Sequence, residues 1–445
     1  MKSFFTWLKI ILFSLFMLCC CVIGFIGALR PEYSDREQRN LTEFPAFTID
    51  GFLSGDYTSK ISLWYSDTFP FREDLILANS YIKQIHGLKT ELFSGNNHTG
   101  EEIPTDDEFI WVTEPITEDN SGEEQNTEQP TEPPTLPEYT GQVIEGYYVK
   151  GDTAYELFYF KKESAQRYAK AIVTAAQKLD GIAQVYNMVV PMPYAYGMDK
   201  NDQNKFGASN CESAINYIYK AISSFNTQTN LQLPVKTVNI NKTMEEHFDE
   251  YLYFRTDHHW TATGAYYASR VFLDREGKSY PSLDEYNMYT LEGFRGSLYR
   301  HTADVNLYNN PDTIYAYEPV GVKTVDITDR DGVTGTYPII NPNPQSSNLY
   351  ICFMEGDFPY YEIHNPNITD GSSILLVKES YGNCFAPFLA DSYEYVYVID
   401  YRFYNNSLTE IVSEKDIQTV LFLNYLVPTA TDYNLRCLEY LIRVN

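Results

Sequence analysis

The sequence predicts an α/β fold with a mostly parallel sheet, preceded by an N-terminal transmembrane helix. Three observations carry this. Apolar strand-like runs alternate with helically spaced segments between Val143 and Ile240. The same alternation returns after Thr369. An apolar run extends from Ile10 to Leu29, about the length that crosses a ~30 Å hydrocarbon core.

Lys2 and Lys9 precede that run and a strongly acidic chain follows it. This asymmetry places residues 1–9 in the cytoplasm, residues 10–29 in the membrane and the bulk of the chain outside the cell. A cleaved signal peptide is the rival. The run exceeds the ~7–15 residues of a signal core and shows no small-x-small site before Arg30, so an uncleaved single-span anchor is favoured. Cys19, Cys20 and Cys21 lack the small residues that precede a lipoprotein cysteine. Residues 30–95 read as a membrane-proximal helical region. Within it, residues 71–87 carry Leu75, Ile76, Ala78, Tyr81, Ile82 and Ile85 at helical spacing, with Gly87 as a stop.

Between Glu101 and Thr140 there are 13 acidic residues and no Lys or Arg, interleaved with Pro, Thr, Gln and Ser. Such a stretch buries too little apolar surface to order itself, and residues 96–142 are expected to be a disordered acidic insert. The domain at 143–445 then begins. Tyr155–Phe160 reads as a strand, 163–180 as a helix ended by Gly181, and Val185–Val190 as a buried strand stopped by Pro191. Ser209–Phe225 follows as a helix and Val235–Ile240 as a strand. A helical run from Thr261 to Leu273 comes next. Residues 284–368, rich in Tyr, Asn, Asp and Pro, form a β-rich excursion or lid. Strands follow at Ser373–Val377, Tyr395–Ile399 and Thr419–Leu423, with a capped helix start at Ser413–Asp416.

The formal charge of −27 over 445 residues argues against nucleic acid, since phosphate binding needs clustered Lys and Arg. The 39 Tyr and 26 Phe suit clefts that grip polar, ring-shaped ligands, although lineage bias gives the same composition. Outside the anchor only Cys211, Cys352, Cys384 and Cys437 remain. Without CxxC spacing they form no zinc framework, and they permit one or two bridges whose pairing the sequence leaves open.

The chemistry centres on Tyr253–Tyr267, reading YFRTDHHWTATGAYY. Asp257 and His259 lie two apart, so both can project to one side. An ionised Asp would fix the tautomer of the ring and leave its other nitrogen free to take a proton. The bland alternative is a helix N-terminus capped by Asp or Thr, with Trp260 packed beneath it. Ser380 lies three residues past a buried strand, and Gly382 allows a sharp turn into the next segment. Functional residues gather at such carboxyl edges. Free N–H groups there can hold an oxyanion, and a Ser there needs a neighbouring base. A helix cap is again the bland reading for Ser380 alone.

RTDHHWT, with the later LLVKESYGNCFAPFL and VIDYRFY, resembles the DHHW family of bacterial membrane-anchored proteins. That family is similar to the SGNH-hydrolase-like domains of alginate O-acetylation proteins of the AlgX and AlgJ type. The resemblance runs from about Arg30 to Asn445, outside the acidic insert. It implies an SGNH-hydrolase-like, flavodoxin-like sandwich. Carried over, the D-x-H-W motif supplies Asp257 and His259, the strand-turn Ser380 is the nucleophile, and Trp260 lies beside the pair. His258 occupies the variable position. The relatives usually show Gly-Asp-Ser at the nucleophile, whereas this chain has Lys378-Glu379-Ser380, and the bulkier Lys alters the oxyanion pocket. Gly382 and, by strand order, Asn424 are the oxyanion candidates, with Asn383 a further one. Arg402 and Arg255 are candidate substrate anchors; each could equally be a structural ion-pair partner.

The implied activity is acyl transfer to a cell-surface or exported polysaccharide, or hydrolysis as an acetylesterase, with no cofactor. The implied partners are that polysaccharide and the membrane through residues 10–29. A membrane-bound acetyl-donating O-acyltransferase is left open as a third. The alternative is a catalytically inactive glycan-binding or assembly protein that keeps the fold. Metal hydrolysis through Asp257, His258 and His259 is a weaker third reading, because consecutive side chains diverge and no other His-rich spacing exists.

Overall fold

The computed structural model describes residues 2–26, 29–34, 36–37, 39–85, 92–94, 100–105, 108–111 and 146–443. The chain divides into two compact units, one of Met1–Thr90 with Tyr299–Asn310 and one of Glu91–Leu298 with Pro311–Asn445.

The first unit is helical. Helix α1 spans Lys2–Phe25, and Ile11, Phe13, Phe16 and Leu18 on it are exposed. Among the described residues no helix is long and apolar enough to cross a membrane. Helix α1 stops at Phe25, four residues before the expected end of the span at Leu29. Helices α2 (Asp56–Asp67) and α3 (Arg72–Ile85) follow. Helix α3 matches the helix expected at 71–87, whose last two residues lie outside the described ones. Asp67 ties the unit together, pairing with Arg39 at 2.5 Å and accepting from the Thr42 N–H and hydroxyl at 2.9 and 2.8 Å.

The second unit is built on an eight-stranded mixed sheet. Its strands are β1 (Gln184–Val190), β2 (Lys236–Val238), β3 (Thr324–Thr328), β4 (Thr334–Pro338), β5 (Tyr360–His364), β6 (Ser373–Lys378), β7 (Tyr395–Asp400) and β8 (Thr419–Tyr425). Their order is β4-β3-β5-β7-β6-β8-β1-β2. The five strands from β7 to β2 are parallel, whereas β5, β3 and β4 are antiparallel. The expected mostly parallel sheet is therefore corrected to a mixed one, because part of the excursion pairs onto its edge instead of standing apart as a lid. The hairpin β3–β4 can close there because Asp329 accepts from the Asp331 and Val333 N–H groups and Gly332 takes φ +79°.

Helices α4 (Lys162–Lys178), α5 (Cys211–Thr229), α6 (Ala262–Glu276), α7 (Leu408–Glu414) and α8 (Asp432–Arg443) complete the layers. Alternation along the strands splits the core in two. Leu375, Val377, Val420 and Phe422 pack with α4, α5, α7 and α8. Ile374, Leu376, Leu421 and Leu423 pack with α6. Both faces are thus covered, which is why these strands are apolar throughout.

Four readings change. The strand expected at Tyr155–Phe160 is Thr153–Leu157, in a separate three-stranded antiparallel sheet with Leu92–Ser94 and Gly146–Lys150. Ser413–Asp416 is a helix end: the capping box lies upstream, with Ser407 and Glu410 satisfying each other's backbone N–H groups at the start of α7. Residues 112–140 of the acidic stretch lie outside the described residues, but 100–105 and 108–111 do not behave as a solvated spacer. Ile103, Phe109 and Trp111 pack against the core, and the Glu101 N–H donates to the Phe160 carbonyl at 2.9 Å. Cys211, Cys352, Cys384 and Cys437 are all buried free thiols, so none of the permitted bridges forms.

Replacing Ser407 by Ala removes one half of the capping box and should destabilise the second unit by about 1 kcal/mol. Urea denaturation followed by circular dichroism measures it.

Candidate active site

Residues 251–256 are fixed before the tetrad begins. The carboxylate of Asp312, fully buried, accepts from the Thr256 N–H at 2.7 Å, the Thr256 hydroxyl at 2.6 Å and the Tyr251 hydroxyl at 2.6 Å. On the far side, Thr261 caps α6 by accepting from the Gly264 N–H at 3.3 Å. A Cβ on Gly264 would lie 2.5 Å from the Leu252 carbonyl oxygen, so only glycine lets the helix start this close. The capping reading was thus right about Thr261, and the tetrad does more besides.

Asp257 turns back on its own loop. Its Oδ1 accepts from the His259 N–H at 2.9 Å and lies 2.5 Å from His259 Nδ1, while its Oδ2 accepts from the Ser297 N–H at 2.6 Å. An ionised carboxylate in that position assigns the proton to Nδ1 and leaves Nε2 as an acceptor. Nε2 lies 2.8 Å from Ser380 Oγ. Asp257 and His259 are 2% and 6% exposed, whereas Ser380 is half-buried. A hydroxyl, an imidazole and a buried carboxylate therefore stand in one hydrogen-bonded line, able to pass a proton from Oγ to the ring.

Ser380 reaches this place because β6 ends at Lys378 and the chain turns at once through Ser380–Asn383. The Gly382 N–H closes the turn on the Glu379 carbonyl at 2.9 Å, and a Cβ on Gly382 would lie 2.5 Å from the Lys378 Cβ. The Glu379 side chain clamps the turn from below. It accepts from the Tyr381 N–H at 2.9 Å and from the Tyr425 N–H at the end of β8 at 3.0 Å, and lies 3.4 Å from Ser380 Oγ. Burial pushes the Glu379 carboxyl up, and Arg402 and the two backbone donors only partly oppose it.

Several expected site residues do other work. Trp260 is fully buried, donates from Nε1 to the Tyr381 carbonyl at 3.0 Å and stacks on Phe385, so it braces the Ser380 turn from inside instead of offering a surface to substrate. Arg402 is held by Asp400 at 2.6 Å and Asp357 at 2.9 Å, and Arg255 by Asp152 at 2.5 Å and Asp312 at 3.3 Å. Both guanidinium groups are ion-pair partners. Lys378 is fully buried against Asp400 at 3.1 Å. Burial pushes its ammonium down, but Tyr361, Asp400 and Asp357 outweigh it and keep it cationic.

The oxyanion candidates fare worse. Asn424 projects to the face opposite α6, where it accepts from the Tyr168 hydroxyl at 3.1 Å and donates to the Tyr401 hydroxyl at 2.8 Å. The Gly382 N–H is committed to its own turn. Asn383 donates to Asp357 at 2.8 Å, and its buried Oδ1 has no partner among the described residues.

The ligand atoms of Asp257, His258 and His259 lie within 4.8 Å of one another. Both ring nitrogens of His259 are however occupied, by Asp257 and Ser380, and His258 Nδ1 lies 2.6 Å from Ser297 Oγ. The geometry is that of a proton relay. Ser297, Asp312 and Tyr350 are surrounding residues that the sequence did not single out, and Glu379 was named there only as part of the altered nucleophile motif.

The model of the DHHW protein family matches residues 37–132 and 126–399. The chain belongs to the DHHW family. Its structure is similar to that of a DHHW family protein from Eubacterium siraeum, with 27% identity and a TM-score of 0.59, covering 67% of this chain and 96% of that one. It is similar in fold to Bacillus cereus PatB1, solved with a sulfonyl adduct, at 18% identity and a TM-score of 0.54, covering 65% and 97%. The O-acetyltransferase domain of Pseudomonas putida AlgJ is more distant, at 14% identity and a TM-score of 0.36, covering 66% and 92%. The comparison with curated proteins gives no match.

Replacing Asn424 by Ala should strip partners from two buried tyrosine hydroxyls and cost about 1–3 kcal/mol. An unchanged midpoint in urea would show that this amide is not holding the core.

Proposed function

We propose that this chain is an SGNH-like O-acetyltransferase or acetylesterase that acts on a cell-surface or exported polysaccharide through Ser380, His259 and Asp257. The observation that carries the reading is the hydrogen-bonded line from Oγ through the imidazole to the buried carboxylate. Two segments 121 residues apart meet there, in a family whose motif supplies one of them.

In the proposed reaction, Ser380 Oγ attacks the carbonyl carbon of an acetyl donor as its proton moves to His259 Nε2. Asp257 stabilises the imidazolium. Collapse of the tetrahedral intermediate breaks the bond to the donor oxygen, which takes the proton from His259, and leaves acetyl-Ser380. A sugar hydroxyl then gives its proton to His259 and attacks the acetyl carbonyl carbon, or water does so in an esterase; the bond to Ser380 Oγ breaks, the acetyl group leaves on the acceptor, and Oγ takes the proton back from His259. A membrane-bound O-acyltransferase is one source of the acetyl group. The apolar run Ile10–Leu29 and its preceding lysines support a single-pass anchor with the bulk of the chain outside the cell.

One observation favours a second reading, an inactive glycan-binding or assembly protein. The Tyr381 and Gly382 N–H groups of the Ser380 turn are already bonded to Glu379, and losing a single oxyanion donor typically costs about 10²–10³ in rate.

Acetyl release from p-nitrophenyl acetate by the full-length chain decides between them. The acyl-transfer reading expects turnover that falls at least about a thousandfold in Ser380→Ala and in His259→Ala. Turnover that survives Ser380→Ala removes Ser380 as nucleophile. A wild-type chain that binds glycan without releasing acetyl favours the second reading.

A further inference from the structure

Tyr350 lies in the excursion, in the short turn Leu349–Cys352, and it is 5% exposed. Its ring is stacked on that of His259, with centroids 4.1 Å apart and planes 15° from parallel. Its hydroxyl is shared between the backbone carbonyl of Ser380 at 3.1 Å and Cys384 Sγ, in the same turn, at 3.3 Å. A buried tyrosine kept only for packing would satisfy its hydroxyl on any nearby acceptor. This one touches the base with its face and the nucleophile with its tip. Phe353 and Phe254 meet its ring edge-on at 5.3 and 6.3 Å, so the ring is itself held in place.

We infer that Tyr350 is a positioning residue for acyl transfer at Ser380, holding the His259 ring by stacking and the Ser380 backbone by its hydroxyl. The inference rests on the acyl-transfer reading above. A single bond from Nδ1 to Asp257 fixes one end of the imidazole but leaves it a pivot. A flat ring parallel to it removes the swing that would carry Nε2 away from Oγ. The stack has an electrostatic side as well. When His259 takes the Ser380 proton it becomes a cation facing the negative π-surface of Tyr350, an arrangement that stabilises the charged form. The other titratable groups facing His259 are Asp257, His258, Tyr381, Glu379 and Asp357. They stay in place when only the ring at 350 is changed.

The test uses the full-length chain and p-nitrophenyl acetate from pH 5 to 9. Tyr350→Phe keeps the ring and loses the tie to Ser380, so its rate should fall while the acid limb of the profile stays where it was. Tyr350→Leu loses both, and its acid limb should move down by about half a pH unit. Fluorinated phenylalanines placed at 350 keep the shape, and so fold if Leu does not. Their progressively less negative faces should move the acid limb stepwise in the same direction. An acid limb that ignores fluorination, or a Tyr350→Leu profile identical to that of Tyr350→Phe, overturns the stacking role. If the wild-type chain releases no acetyl and takes up no fluorophosphonate, the acyl-transfer reading falls instead. The same fluorinated series, read by NMR titration of the His259 ring, then still decides on the stack.

Discussion

The site depends on one buried carboxylate with three N–H groups aimed at it. Asp257 receives the His259 N–H, the His259 ring nitrogen and the Ser297 N–H. A carboxylate that is 2% exposed can remain ionised only with such compensation. The same bonds that compensate it also orient the ring. Stability of the charge and aim of the imidazole are thus one arrangement. Gly296 shows how little room is left, since a Cβ there would lie 2.1 Å from the Asp257 Cβ.

Around that line the chain places a closed shell of charge. Lys378, Asp400, Arg402 and Asp357 neutralise one another beside the Ser380 turn. Burial pushes the Asp357 carboxyl up, but Arg402, Lys378 and the Asn383 amide outweigh it and hold it below its ordinary range. Burial raises the Glu379 carboxyl above its ordinary value. It joins the end of β8 to the turn after β6, accepting from the Tyr425 and Tyr381 N–H groups. The Lys-Glu-Ser sequence is therefore accommodated: Lys378 turns into an ion pair, and Glu379 becomes a clamp.

Much of the fold was legible because strands buried on both faces read as unbroken apolar runs, as at Ser373–Val377 and Thr419–Leu423. The two motif segments were legible because Asp, His and Ser at such positions are costly to bury without purpose. What the sequence hid was who meets whom. Arg402 and Arg255 look the same in sequence whether they face substrate or a carboxylate, and here each faces two. Asn424 was misjudged although strand alternation puts it with Phe422, on the face away from Leu421 and Leu423. Helix α8 shows Leu435, Leu438, Leu441 and Ile442 buried at helical spacing, a signal that went unread. Tyr350 and Ser297 come from a segment without periodicity, so nothing local marked them.

If His259 activates the Ser380 hydroxyl, covalent capture is the most direct measurement of it. The full-length chain would be treated with a sulfonyl fluoride and its peptides mapped by mass. One sulfonyl group is expected on the peptide containing Ser380, with labelling lost in His259→Ala. An unmodified Ser380, or equal labelling with and without the imidazole, would contradict it.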